Sequence, residues 1–165
     1  MTYNGRLQSL PREIRVFIAT FVVVLSVGYF TGLMFVNQTS STVPEGIETN
    51  YLGNEEDPEA DVMIFRKSER EMLTIIHTHI LSISFIFFLL GLLVWITDLP
   101  KNLKLFLTIE PFFSLVLTFG GIYLLWMGLL WVKYIVFLSG LLMTTTYVVS
   151  AFVVCYQALR GPGPG

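Results

Sequence analysis

The sequence predicts an all-α fold, a four-helix transmembrane bundle with one polar loop of about 30 residues between the first and second helices. Three observations lead there. Hydrophobic residues make up 54% of the 165-residue chain and charged residues 13%, where a soluble domain usually carries about 25% charged residues. The apolar residues collect in runs of about 20 or more, enough to cross a hydrocarbon layer of about 30 Å. Polar or turn-forming stretches break those runs at 37–67, at 97–104 and near Met127–Lys133. The whole chain reads as one integral membrane domain.

The first helix is expected over about 14–36, after a polar arm bearing Arg6, Arg12 and Arg15. Pro11 suits the first turn, where its missing N–H has no partner to lose. The apolar run from Val16 to Val36 exceeds the roughly 7–15 residues of a secretory h-region, and "NQTSSTVPEG" after it offers no small-x-small cleavage site, so it reads as an uncleaved span. Within it, "GYFTG" sets Gly28 and Gly32 four apart. That spacing lets a second helix approach closely, although glycine is common in transmembrane helices for other reasons.

Residues 37–67 form the polar outer loop. Its acidic run "NEEDPEAD" lacks the alternating ligands, sixth-position glycine and twelfth-position glutamate of a calcium loop. It reads as a solvated acidic surface.

The second helix, about 69–97, opens on "SERE". Ser68 can accept from the backbone N–H three residues on while Glu71 reaches back, a capping box. At 1.5 Å per residue the helix is about 43 Å long, so its first turns stand above the hydrocarbon. "TDLPKNLK" makes a tight turn. The apolar stretch 105–158 is right for two crossings, about 104–128 and 132–158. Trp95, Trp126, Trp131, Tyr134 and Tyr156 fall at span ends, as interfacial aromatics do. The chain closes on "GPGPG", read as a flexible tail.

Arg6, Arg12, Arg15, Lys101, Lys104 and Arg160 fall on one side of this topology; Arg66, Lys67, Arg70 and Lys133 fall on the other. Positive charge favours the cytoplasm, which places both termini inside and 37–67 outside. No basic tract suggests nucleic acid. The single cysteine, Cys155, excludes an internal disulfide and a CxxC pair. No P-loop, dinucleotide fingerprint or H-E-x-x-H motif is present, and no enzymatic activity is expected.

Three sets of residues are candidates for chemistry. The only histidines, His77 and His79, lie early in helix two. On an α-helix, residues two apart point about 200° apart, so one metal or haem iron cannot take both from a regular helix. Either imidazole alone can bind haem, copper or zinc with ligands from elsewhere, or both are amphipathic residues at an interface. Glu110, Ser114 and Thr118 share one face of helix three at four-residue steps. They are candidates for a proton path or for hydrogen bonds to a quinone. Alternatively Glu110, about two turns from the 98–104 turn, snorkels to the surface or satisfies groups freed by Pro111. Third, Ser139, Met143, Thr146, Ser150 and Gln157 on helix four resemble a packing face.

At "KSEREMLTIIHTHILSISFIFFLLGLLV" the chain resembles small bacterial inner-membrane proteins with four helices and H-x-H early in the second. The resemblance covers about 66–158 and implies a bacterial inner membrane but no activity. The leading expectation is therefore an accessory subunit, in contact with lipid and with other membrane subunits of a larger assembly such as an energy-converting one. The alternatives are electron transfer through His77 or His79, and a small transporter or proton conduit using Glu110.

Overall fold

A computed structural model describes residues 5–39 and 43–160. The chain is all α among these residues: α1 Arg12–Thr39, α2 Pro44–Leu52, α3 Glu69–Trp95, α4 Lys101–Trp126 and α5 Val132–Arg160, preceded by a 3-10 turn at Leu7–Ser9. Four of the helices (α1, α3, α4, α5) are long and apolar enough to cross a membrane. The "GPGPG" tail lies outside the described residues.

Two boundaries differ instructively from the sequence expectation. The segment expected as a single polar loop carries α2, which Pro44 opens from the first helical position. There its fixed φ costs nothing and its absent N–H is not missed. The third span begins at Lys101 rather than 104, because Pro100 stands at its N-cap with φ −57° and the helix can start immediately behind it. The start of α3 follows its chemistry closely. Ser68 Oγ accepts from the Glu71 N–H at 3.4 Å, and Glu71 Oε2 accepts from the Ser68 N–H at 2.8 Å.

The antiparallel pair α4–α5 is the centre of the bundle; α3 packs mainly on α4, and α1 on α5. Close approach of the central pair depends on Gly121, where an added Cβ would stand 2.7 Å from Val136 Cγ2 and 3.2 Å from Val132 Cγ1. The flanking helices are held less fully. In its most apolar stretch α1 is 17% buried, against 56% for α4. Its inward stripe is Ile18, Ala19 and Val22, continued by the half-buried Leu25, Ser26 and Tyr29. Gly28 and Gly32 lie off that stripe, and a Cβ on either would meet nothing within 4 Å. The G-x-x-x-G spacing is thus not a contact among the described residues.

Each end of the bundle is tied by polar contacts. At the end holding the α3–α4 turn, the Leu7 N–H donates to Ile96 O at 2.6 Å, and the Asp98 N–H donates to Gln157 Oε1 at 2.6 Å. Arg15 Nη1 donates to Ala158 O at 2.9 Å. At the other end the outer segment folds down onto the α4–α5 turn. Lys133 Nζ meets Glu48 Oε2 at 2.6 Å and Glu45 Oε1 at 3.7 Å. Trp126 Nε1 donates to Lys67 O at 2.8 Å, and Arg66 Nη2 donates to Trp126 O at 2.7 Å. Asn54 closes the segment on itself: Oδ1 accepts from the Ile64 N–H at 2.6 Å, and Nδ2 donates to Val62 O at 2.9 Å. Gly53 permits this fold-back. Its φ is +83°, and a Cβ there would lie 2.7 Å from Arg66 N.

Candidate functional site

The α4–α5 interface carries polar side chains through its middle. Ser114, Thr118, Ser139, Thr146 and Ser150 are buried, and Glu110 is 9% exposed. Four-residue and seven-residue steps bring these onto the facing sides of the two helices. Glu110 does not reach for the surface. Its carboxyl turns inward, where Ser114 Oγ donates to Oε1 and Thr146 Oγ1 stands 2.6 Å from Oε2. Thr146 lies halfway along α5, and Glu110 only about 5 Å along the axis from the middle of α4. The carboxyl therefore sits near mid-height of the bundle, deeper than its distance from the α3–α4 turn suggests. It forms no ion pair among the described residues.

Of the three polar residues grouped by the sequence, Glu110 and Ser114 are brought together. Thr118 is not bonded to them; its hydroxyl pairs across the interface with Ser139 Oγ at 2.7 Å. Met143 is buried on α5 between the two clusters. Sequence reading missed Thr146 as a carboxyl partner, although it had placed that residue on a packing face. The signal was available in the step from Thr146 to Ser139, which mirrors Glu110 to Thr118 in an antiparallel pair.

An aromatic layer lies at the same height. Tyr147, fully buried, stacks on Tyr29 of α1 with ring centroids 3.8 Å apart and 4° between planes. Phe87 of α3 meets the Tyr147 ring edge-on at 6.1 Å. The phenol of Tyr147 pairs with Ser26 Oγ at 3.1 Å, and that of Tyr29 with Thr144 Oγ1 at 3.4 Å. Three helices meet here, and both phenols of the layer have a hydroxyl partner.

His77 and His79 lie far from this cluster. His79 is about 12 Å and His77 about 15 Å along the α3 axis from Phe87, toward the outer segment. Both are exposed. The helix is regular through them, so the rings diverge as the helical geometry predicts. His79 Nδ1 stands 2.7 Å from Ile75 O, and its ring stacks on Phe119 at 5.0 Å. A carbonyl only accepts, so Nδ1 carries the hydrogen and Nε2 of the neutral ring keeps its lone pair. His77 makes no side-chain hydrogen bond among the described residues, and shares a shallow open hollow with Glu69, Arg70, Leu73 and Thr74. Among the described residues no three His, Cys, Asp or Glu side chains stand together as a metal site.

Among curated proteins and solved structures, none matches this chain. A family model, Aq_1264_TM, described as a transmembrane helical domain, matches residues 41–164. That stretch takes in α2, α3, α4 and α5, with the polar cluster and both histidines. With four membrane-length helices and a family match over most of its length, the chain is an integral membrane protein and belongs to this family of transmembrane helical domains.

Proposed function

We propose that the protein is a non-catalytic subunit of a larger bacterial inner-membrane assembly, with its termini cytoplasmic and segment 37–67 periplasmic. The observation that carries this reading is the exposed face of α3. Thr74, His77, Thr78 and Ser82 form a polar stripe on a span whose other exposed residues include Leu73, Leu81 and Phe85. Thr74, Thr78 and Ser82 stand within one or two turns of each other, and Thr74 and Ser82 return their hydroxyls to their own helix, to Arg70 O and Thr78 O, at 2.8 and 2.7 Å. His77 has no such outlet. An imidazole about 15 Å from mid-height is poorly served by lipid tails and well served by the polar groups of a second protein. The orientation rests on basic charge: six Lys and Arg side chains fall at the end with Asp98 and four at the other.

Isolation from the native membrane in mild detergent tests the reading. Other membrane subunits co-elute with the wild-type chain and are lost from the double variant His77→Leu, His79→Leu. A chain that migrates alone with lipid, in every mild detergent, removes the proposal.

One observation favours a second reading. His79 is oriented by its Nδ1 bond, with Nε2 left as a lone-pair donor on an exposed face, as metal-ligating histidines are. One imidazole per chain can serve a haem or copper only if another chain supplies further ligands. A Soret or charge-transfer band abolished by His79→Ala supports this reading, and colourless, metal-free native protein rejects it.

A further inference from the structure

The hydrogen bonds around Glu110 contain one more contact than the hydroxyl hydrogens can fill. Thr146 Oγ1 stands 2.6 Å from Glu110 Oε2 and 2.9 Å from Leu142 O. It has one hydrogen. Ser114 spends its own on Glu110 Oε1. If the carboxyl is ionised, Thr146 must turn to Oε2, and the contact with Leu142 O carries no hydrogen. If the carboxyl is protonated, Oε2–H donates to Thr146 Oγ1, Thr146 donates to Leu142 O, and all three contacts are filled. Leu142 O loses little in either case, since it also lies within the backbone bonding of α5.

We propose that Glu110 is a reversible proton-binding site at mid-height of the bundle. One O–H bond forms at Oε2 on uptake and breaks on release, the proton coming from and returning to water. The Thr146 hydroxyl rotates between two acceptors, and no heavy atom has to move. The surroundings suit this role. The ionisable groups on the neighbouring helices at this height are the phenols of Tyr29 and Tyr147, and α3 contributes Phe87. None is a cation that would hold the site permanently as a carboxylate. One turn from Thr146 on the same face, toward the end with the chain termini, Ser150 Oγ is buried without a hydrogen-bond partner. That hydroxyl is a free hydrogen-bonding group one helical turn from the partner of the carboxyl. Toward the opposite end, buried Met143 lies between the carboxyl and the Thr118–Ser139 pair.

Infrared difference spectra of the full-length protein in liposomes, recorded across pH, test this. The expected result is a carboxylic C=O band that grows and fades with a single-proton titration, is absent in Glu110→Gln, and shifts in frequency in Thr146→Val. The Gln variant is suited to the purpose because its amide N–H can donate to Thr146 as the acid does, while its carbonyl accepts from Ser114. Labelling of wild-type protein by the lipophilic reagent dicyclohexylcarbodiimide, mapped by mass spectrometry, needs no variant. It consumes the protonated carboxyl, so Glu110 is modified and the rate falls at least tenfold across the same titration. A band absent at every pH where the protein is folded, or present and unchanged throughout, overturns the proposal: the first means a fixed carboxylate and the second a fixed hydrogen-bonded clasp. Labelling of Glu110 that does not vary with pH overturns it equally.

Discussion

The α4–α5 interface and the outward face of α3 treat polar residues in opposite ways. In the first, a carboxyl and five hydroxyl side chains are buried between two helices that approach closely at Gly121. In the second, the His77 imidazole and several hydroxyls are exposed, while the exposed His79 ring lies along α4 against Phe119. Inside a bilayer apolar packing gives little net drive, because lipid is as apolar as the partner helix. Polar contacts and close backbone approach therefore decide which helices pair tightly. The central pair has both. Helix α3 has its buried contacts mainly in its second half, at Phe87, Leu90, Gly91 and Val94. The lesson is that the central pair holds the fold, while the first half of α3 keeps most of its polar side chains exposed.

The largest effect that would sharpen this contrast is at the closest point. Gly121→Leu forces a side chain into Val136 and Val132, and should cost about 3 kcal/mol, at the upper end of overpacking. Gly28→Leu and Gly32→Leu, with nothing in reach, should lie within about 0.5 kcal/mol. Reversible unfolding in mixed micelles compares the three; equal losses would break the distinction between the two kinds of glycine. Thr146→Val leaves Glu110 Oε2 without its partner and should cost about 2 kcal/mol, in the range for an unsatisfied buried polar group.

Gly53→Ala acts at the periphery. It places a Cβ against Arg66 N in a backbone conformation that L residues avoid, and should weaken docking of the outer segment by more than about 1 kcal/mol. The measurable result is faster proteolysis within 53–67, with the unfolding midpoint of the spans unchanged. The smallest effect belongs to the outward face: His77→Leu with His79→Leu should change the stability of the isolated chain by less than about 0.5 kcal/mol. A large loss there would mean that the imidazoles support the fold itself.

Much of the helical framework was legible because it rests on local chemistry. The capping box at Ser68–Glu71 marks the start of α3 within a residue, and the polar break near Met127–Lys133 marks the α4–α5 turn, where Gly128 takes φ +103°. The divergence of His77 and His79 followed from the helical repeat alone. What could not be read was whatever depends on a partner distant in sequence. Glu110 looked shallow because its distance to the nearest turn is a property of one helix, while its burial comes from Thr146, 36 residues away. Asn54 gave no local sign that both ends of its amide would bind the backbone of 62–64. The outer segment likewise looked simply acidic, and indeed Glu55, Glu56, Asp57 and Glu59 are exposed. Its anchoring by Lys133, Trp126 and Gly53 is a tertiary matter.

Trp126 has a practical consequence. Its indole donates to Lys67 O, and the Arg66 guanidinium lies 5.2 Å over its ring. A positive charge and a fixed hydrogen bond both alter the energy of an indole's excited state, so the colour of its emission depends on whether the outer segment is seated. Replacing the more exposed Trp95 and Trp131 with phenylalanine would leave Trp126 as the single tryptophan, excited selectively at the red edge of the absorption. Such a protein reports lifting of segment 44–67 from the α4–α5 turn in real time, without an attached dye.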